Sequence, residues 1–414
     1  MTILNASVSG MQANSNWLST ISQNVANANT TGYKNQETDF STLVDQVSNV
    51  ASDGGGVTTT SQSLNALQGN IVSSQTTTNL AVQGSGFFVV SDSTGAIYLT
   101  RNGSFAPDAS GNLVNSAGYY LMATNVLNGS SSITPANSLS NLVKVNVVNA
   151  GQKATPTTSG SLTANVPSSA DVVSAANLPS ANSAASTSSA STSLVVYDNL
   201  GAAHTIDLYF AKTGTGNWQV DAYDAAAAAP GGGFPYSSGP LATGSLNFSA
   251  TGALTSGSPL TFTIPGGQTM SLDLSNVTQL ASSFNVSAAT ANGNAPSSLS
   301  GVTIGTDGTL SFNYTNGTST PAYEIPLANV ESPDNLSSVN GNAYMSNSMS
   351  GPVYLETIGS TSSALIKSSS LESSTVDLAT ELTAMIEAQS AYEANSKVFQ
   401  TGANILDVLN GLKP

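Results

Sequence analysis

The single histidine, His204, and the complete absence of cysteine set the limits of what chemistry this chain can do. Without a thiol and with one imidazole, thiolate or multi-histidine zinc sites and Ser-His or Cys-His nucleophile pairs lack their parts. His204 alternates with strand residues, the position of a structural histidine. A carboxylate pair remains conceivable among Asp198, Asp207, Asp221 and Asp224. Two of them at the right separation would make an acid and base pair for glycoside hydrolysis, yet Asp is far commoner as a turn former. Gly84-Ser85-Gly86 precedes two phenylalanines and no helix, so it reads as a tight turn and not as a dinucleotide-binding loop. Asp108-Ala-Ser-Gly111 lacks the further ligands of a calcium loop. The only arginine, Arg101, sits in Thr100-Arg-Asn-Gly103, where its guanidinium is expected to pin a turn by donating to carbonyls. No catalytic residue, no cofactor site and no metal site is expected.

Composition excludes more. Charged residues make up 7% of the 414 residues, against about 25% in an ordinary globular protein. Solubility therefore rests on the hydroxyls and amides of Ser, Thr and Asn, which favour strands and turns over isolated helices. The net charge is −15 with only eight basic residues, so nucleic-acid binding and a polybasic membrane patch are excluded as expectations. No apolar run reaches the ~18 residues of a membrane span, so no membrane insertion is expected. Met1-Thr-Ile-Leu-Asn-Ala6 has neither a basic leader nor an apolar core with a cleavage site, so a protein working outside the cell would leave by a route that reads something else. The missing cysteines suit an oxidising exterior.

The helical signal lies at the two ends. Leu4, Met11, Leu18 and Val25 recur every seven residues, with Val8 and Ile21 on the same face. That is a coiled-coil seam, ending near Ala28 where Asn27, Asn29 and Gly32 offer the backbone other partners. Leu378, Met385, Tyr392, Phe399 and Leu406 repeat the spacing at the far end, joined by Leu382. Ser374-Thr-Val-Asp377 supplies a capping signal, and a helix from Val376 to Leu412 would reach roughly 55 Å. So long a seam needs partners, either the other terminal helix or copies from neighbouring subunits.

Between the ends the expected architecture is mainly β, two nested β domains beside the paired terminal helices. Residues 1–30 with 372–414 form the helical assembly domain. Residues 31–71 with 359–371 are read as an extended connector; Tyr33 to Ile71 is polar and aperiodic, and no strand is assigned there. Residues 72–146 with 286–358 are the inner β domain, a meander opening at Phe87-Phe-Val-Val90 and Ile97-Tyr-Leu-Thr100. Residues 147–285 are the outer one, with a hairpin of Leu194–Asp198 and His204–Phe210 and a third strand at Trp218. The Ser, Ala, Asn and Thr tract at Ser168–Ser193 is read as a surface loop or interdomain link.

Leu18-Ser-Thr-Ile-Ser-Gln-Asn-Val-Ala-Asn-Ala-Asn-Thr-Thr-Gly-Tyr-Lys34 resembles the N-terminal signature of bacterial flagellar rod and hook axial proteins. Asn24, Asn27, Asn29, Gly32 and Tyr33 align with it, and Gln23 departs from a more usual asparagine. Leu371-Glu372 through Val376-Asp-Leu378 to Gln389 and Tyr392 is similar to the closing helix of that family. Gly84-Ser-Gly-Phe-Phe88, Thr100-Arg-Asn-Gly-Ser-Phe105 and Gly111-Asn-Leu-Val114 resemble its β domain. Length and the second β unit, from Val196 through Tyr209 to Trp218, favour the hook type over the alternative, a distal rod protein. The resemblance implies an extracellular structural subunit of a flexible tube that passes motor torque from rod to filament. It also implies export through the flagellar type III apparatus. The partners it implies are further copies of the chain, the distal rod protein, the hook-filament junction protein, the hook cap and the hook-length ruler protein. A secreted polysaccharide-active enzyme or adhesin is the competing reading from another class.

Overall fold

The computed structural model describes residues 2–44, 54–127, 139–148, 151–356, 358 and 364–411. Two helices bracket an otherwise β chain: α1, Thr2–Ala26, and α2, Leu378–Gly411. α1 is rich in Ser and Asn, poor helix formers that return hydrogen bonds to their own backbone. Asn14 donates to the carbonyl of Gly10, Thr20 to Asn16 and Ser22 to Leu18. Packing, not propensity, must hold it. α2 starts at Leu378 and not at the expected Val376: the Asp377 carboxylate accepts the amide of Ala379 at 2.9 Å, which places the cap one residue before the helix.

The chain forms two compact units. One comprises 1–150, 300–313 and 318–414; the other comprises 151–299 and 314–317. Asn285–Ala291, expected in the inner domain, pairs with Ser159–Pro167 of the second unit, from Asn165↔Asn285 to Gly160↔Ala291. The boundary expected at 285 thus falls at 299, because that long strand needs a partner along its edge.

In the first unit Phe87–Ser91 is the central strand, buried along its whole length. Ile97–Thr100, Tyr120–Asn125 and Leu327–Asn329 all pair with it in antiparallel fashion. Phe87, Val89, Leu99, Ala328 and Tyr344 pack on one face. In the second unit Ala190–Tyr197, Ala203–Gly214, Asn217–Asp224 and Ala242–Phe248 form an antiparallel sheet. Its core holds Val196, Ile206, Leu208, Phe210, Trp218 and Val220, closed by Leu162, Phe262 and Leu272 of a second sheet.

Two readings of the polar tracts are corrected. The segment taken as a strandless connector holds an antiparallel hairpin, β1, Gln36–Val44, with β2, Gly54–Ser63, in register from Gln36↔Ser63. No hydrophobic alternation announces it, because its inner face lies on the hydroxyl-rich side of α1. Asn16 donates to Thr59, Thr38 to Thr20, and the amide of Val57 to the Ser9 hydroxyl. Ser52 and Asp53 lie outside the described residues. The far half of that connector is also partly paired: Leu365–Ser368 with Leu80–Gln83, and Ser370–Glu372 with Ile71–Ser73. Residues 359–363 lie outside the described ones. The tract at Ser168–Ser193 is no link between domains, since both its ends belong to the second unit. It lies on the sheet, where Tyr223 donates to the Pro179 carbonyl and Gln219 to the Ser180 hydroxyl. Backbone and hydroxyl bonds hold it in place of apolar burial.

Candidate functional site

α1 and α2 run antiparallel, and small residues set how closely they approach. A Cβ at Gly10 would lie 2.9 Å from the Asn395 side chain, and one at Gly402 would lie 2.9 Å from Leu4. Ala388, fully buried, sits on the same stripe of α2 with half-buried Ala384 and Ala391. The heptad row read from the sequence is elsewhere. Leu378, Leu382, Tyr392, Phe399 and Leu406 are all exposed, from 36% to 51%, and Met385 is half-buried. Ile386, Val398, Ile405 and Val408 extend that outward surface, with exposures up to 65%. On α1, Ile21 is buried, Leu4, Met11, Leu18 and Val25 are half-buried, and Val8 is 49% exposed. The two seams therefore do not face each other within one chain. α2 meets α1 through a stripe of small residues, with Leu4 over Gly402 and Asn395 over Gly10, and turns most of its large apolar side chains away.

The signature residues build the root of this helix pair. Asn24 is buried, and all of its polar capacity is used. Its Oδ1 accepts from the Tyr33 hydroxyl at 3.2 Å and the Gln36 amide at 2.9 Å. Its Nδ2 donates to the Gln36 carbonyl at 2.8 Å and to Glu381 Oε1 at 2.9 Å, tying α1 to α2. Asn27 donates to the Gln23 carbonyl and accepts from Thr30, which ends the helix. Asn29 is exposed. Gly32 has φ +68°, donates its amide to the Glu372 carbonyl, and would place a Cβ 2.6 Å from the Arg101 backbone, so only glycine fits. Burial, with Glu381 adding to it, pushes the Tyr33 hydroxyl above its usual value.

Beneath the signature lies an ionic cluster that sequence reasoning missed. Glu372 Oε1 accepts from Lys34 Nζ at 2.6 Å and the Gly69 amide at 2.8 Å; Oε2 accepts from Arg101 Nη1 at 3.2 Å. Lys34 and Glu372 side chains are wholly buried and Arg101 is 2% exposed. Arg101 also donates to the Gly84 carbonyl at 3.0 Å, the kind of bond expected from sequence, and lies over the Phe87 ring at 5.1 Å. Lys34 further donates to the Leu67 carbonyl. Burial lowers both cations below their usual values, against the pull of Glu372. In a chain with 7% charged residues, three charges inside recognisable motifs were the available signal.

The second unit offers no counterpart. His204 Nε2 lies 3.7 Å from Asp198, whose carboxylate accepts the amides of Ala202 and Leu200 in a turn and is held below the usual range by the first of these. Asp207 accepts from Ser193 and Tyr236. Asp224 accepts the Ala226 amide. Asp221, buried, accepts from Thr243 at 2.5 Å and Gln219 at 2.7 Å, and burial raises it. Each of the four has a structural partner. Among the described residues no group of three or more His, Asp or Glu is placed to hold a metal ion, and no helix is long and apolar enough to cross a membrane.

Comparison with known proteins bears on the same elements. Four family models match: a flagella basal body rod protein model over residues 4–34, the D1 domain of flagellar hook protein FlgE/F/G over 81–163, the D2 domain of flagellar basal body protein FlaE over 165–294, and the C-terminal part of flagellar basal body rod FlgEFG protein over 367–412. The flagellar hook protein FlgE of Brucella abortus is 42% identical across 99% of this chain and 98% of its own length. That of Rhizobium meliloti is 41% identical across 98% of this chain and 97% of its own, and that of Escherichia coli 30% across 98% of each. The crystal structure of Helicobacter pylori flagellar hook protein FlgE2 superposes with a TM-score of 0.50 at 14% identity, covering 73% of this chain and all of that one, a likeness of fold. Full-length matches of this kind disfavour the rod alternative. The chain belongs to the flagellar hook protein FlgE family and is a structural protein of the bacterial flagellar hook.

Proposed function

We propose that this chain polymerises with copies of itself into the hook tube, and that the outward row of α2, Leu378, Leu382, Tyr392, Phe399 and Leu406, is the surface through which it does so. The single observation supporting this is that row's exposure on an ordered 34-residue helix whose inner stripe already satisfies α1. So large an apolar face on a solvated helix costs free energy until something covers it. Second copies are the covering that a homopolymer supplies, and a heterologous contact between unlike surfaces propagates as an open helical assembly. In the same proposal the half-buried Met385, Leu4, Met11, Leu18 and Val25, the buried Ile21 and the exposed Val8 complete the assembly interface.

The finer reading follows the family: a bending joint that passes torque from rod to filament, exported through the flagellar type III apparatus, without catalysis. Its neighbours in that reading are the distal rod protein, the hook-filament junction protein, the cap and the length ruler. The test is polymerisation of purified chain carrying Leu382→Ala with Phe399→Ala, followed by sedimentation and electron microscopy. Folded monomers that form no tubes are the expected outcome; tubes of normal yield would refute the assignment of the α2 face.

A further inference from the structure

Asn-Gly occurs six times, at Asn102, Asn128, Asn292, Asn316, Asn340 and Asn410. The dipeptide is chemically reactive because glycine sets no side chain beside its own amide nitrogen, which can then attack the preceding side-chain amide carbon. Folding suppresses the attack by holding either group in hydrogen bonds or by shutting out water.

Asn102 is buried, accepts the Ser104 amide at 3.1 Å and donates to Ser116 at 3.3 Å. Asn292 accepts the amides of Thr158 and Ser159 at 2.9 and 3.0 Å and donates to the Thr158 hydroxyl. At Asn316 the would-be nucleophile is engaged, since the Gly317 amide donates to the Tyr314 carbonyl at 3.0 Å. Asn128 and the side chain of Asn410 lie outside the described residues. Asn340 differs from Asn102, Asn292 and Asn316. It is exposed in the turn joining Ser337–Val339 to Ala343–Met345. Among the described residues neither its side chain nor the Gly341 amide has a hydrogen-bond partner.

From this contrast we propose that Asn340 is a site of spontaneous deamidation and isoaspartate formation. The Gly341 nitrogen bonds to Asn340 Cγ, the Cγ–N bond breaks, and ammonia leaves carrying the proton that the Gly341 nitrogen gives up. Water then opens the succinimide at either carbonyl, giving aspartate or isoaspartate. Each event adds a negative charge to a chain already at −15. The isoaspartyl product also lengthens the backbone of a turn with little slack. The Asn340 carbonyl accepts the Tyr119 hydroxyl at 2.9 Å, and a Cβ on Gly341 would lie 2.5 Å from Ala117. A long-lived polymer that is not refolded would accumulate the change there.

The test is a time course of the purified full chain at mildly alkaline pH, read by peptide mapping with mass spectrometry and enzymatic isoaspartate labelling. The Asn340 peptide should convert several-fold faster than those of Asn102, Asn292 and Asn316 in the folded chain, and that lead should collapse in denaturant. Asn340→Gln should remove the fast conversion and leave the slower ones unchanged. Conversion led by any of the other three sites, or equal across all four in the folded chain, would overturn the proposal.

Discussion

Glu372 is the one carboxylate that two buried cations share, and its loss would be felt more than that of any surface charge. Glu372→Gln leaves Lys34 and Arg101 without a counter-charge in a dry environment. Breaking a buried pair in this way costs about 3–5 kcal/mol, while an exposed pair is worth about 0–1 kcal/mol. The first unit should unfold at distinctly lower denaturant in this variant than in Glu393→Gln, an exposed change on α2; equal midpoints would refute the role. Asp221 gives a pH test in the other unit. Its folded-state value is raised by burial, so between the usual aspartate range and that raised value the native state holds the extra proton. Stability must therefore fall as pH rises through this window. Asp221→Asn removes the titrating group, and its midpoint should fall less than wild type over the same rise. The Tyr223 hydroxyl beside it is pushed up to about 12 by burial first and by Asp221 second, so it stays neutral and keeps donating to Pro179 at ordinary pH.

At the scale of elements, α2 has one face buried against α1 and one exposed, and substitutions should separate them. On the inner stripe, Ala388→Leu must force α1 and α2 apart, because that position is fully buried. Overpacking of this kind costs about 1–3 kcal/mol, visible as a lower melting temperature of the isolated chain. On the outer row, Leu382→Ala and Phe399→Ala remove exposed atoms. Their effect on the isolated chain should stay within about 0.5 kcal/mol while tube formation is lost. Circular dichroism melts beside sedimentation separate the two classes; a large melting shift from the outer pair would mean that the row packs within the subunit. The hairpin β1–β2 belongs to the same assembly of elements. Its contacts with α1 are mostly hydrogen bonds of hydroxyls and amides, with Trp17 and Phe40 meeting edge to face at 5.6 Å.

On the scale of the whole molecule, a subunit carrying −15 must overcome self-repulsion every time it joins a copy of itself. Screening shortens that repulsion to about 8 Å at physiological ionic strength. Polymer yield should therefore rise with added monovalent salt before any salting-out, measured by sedimentation; yield that falls with salt would show that opposite charges hold the subunits together. The sequence by itself determined the helical ends. Heptads starting at Leu4 and Leu378 mark both helices, because periodicity is local and the cap at Asp377 needs only its own turn, although packing must then hold α1. One histidine and no cysteine leave thiolate sites, multi-histidine zinc sites and Ser-His or Cys-His pairs without their parts. The strands around Phe87 and Ile206 were legible for the same local reason, their apolar residues alternating or massing against turn residues. Only the tertiary structure decided which face of α2 meets α1, since Ala388 and Leu382 are both compatible with a helix contact and the choice depends on how closely Gly10 and Gly402 let the backbones approach. It also decided that the polar stretch after Tyr33 is a hairpin and that Lys34, Arg101 and Glu372 share one buried point. Those pairings join residues tens to hundreds of positions apart, and a hydroxyl surface or a lone charge carries no local mark of its distant partner.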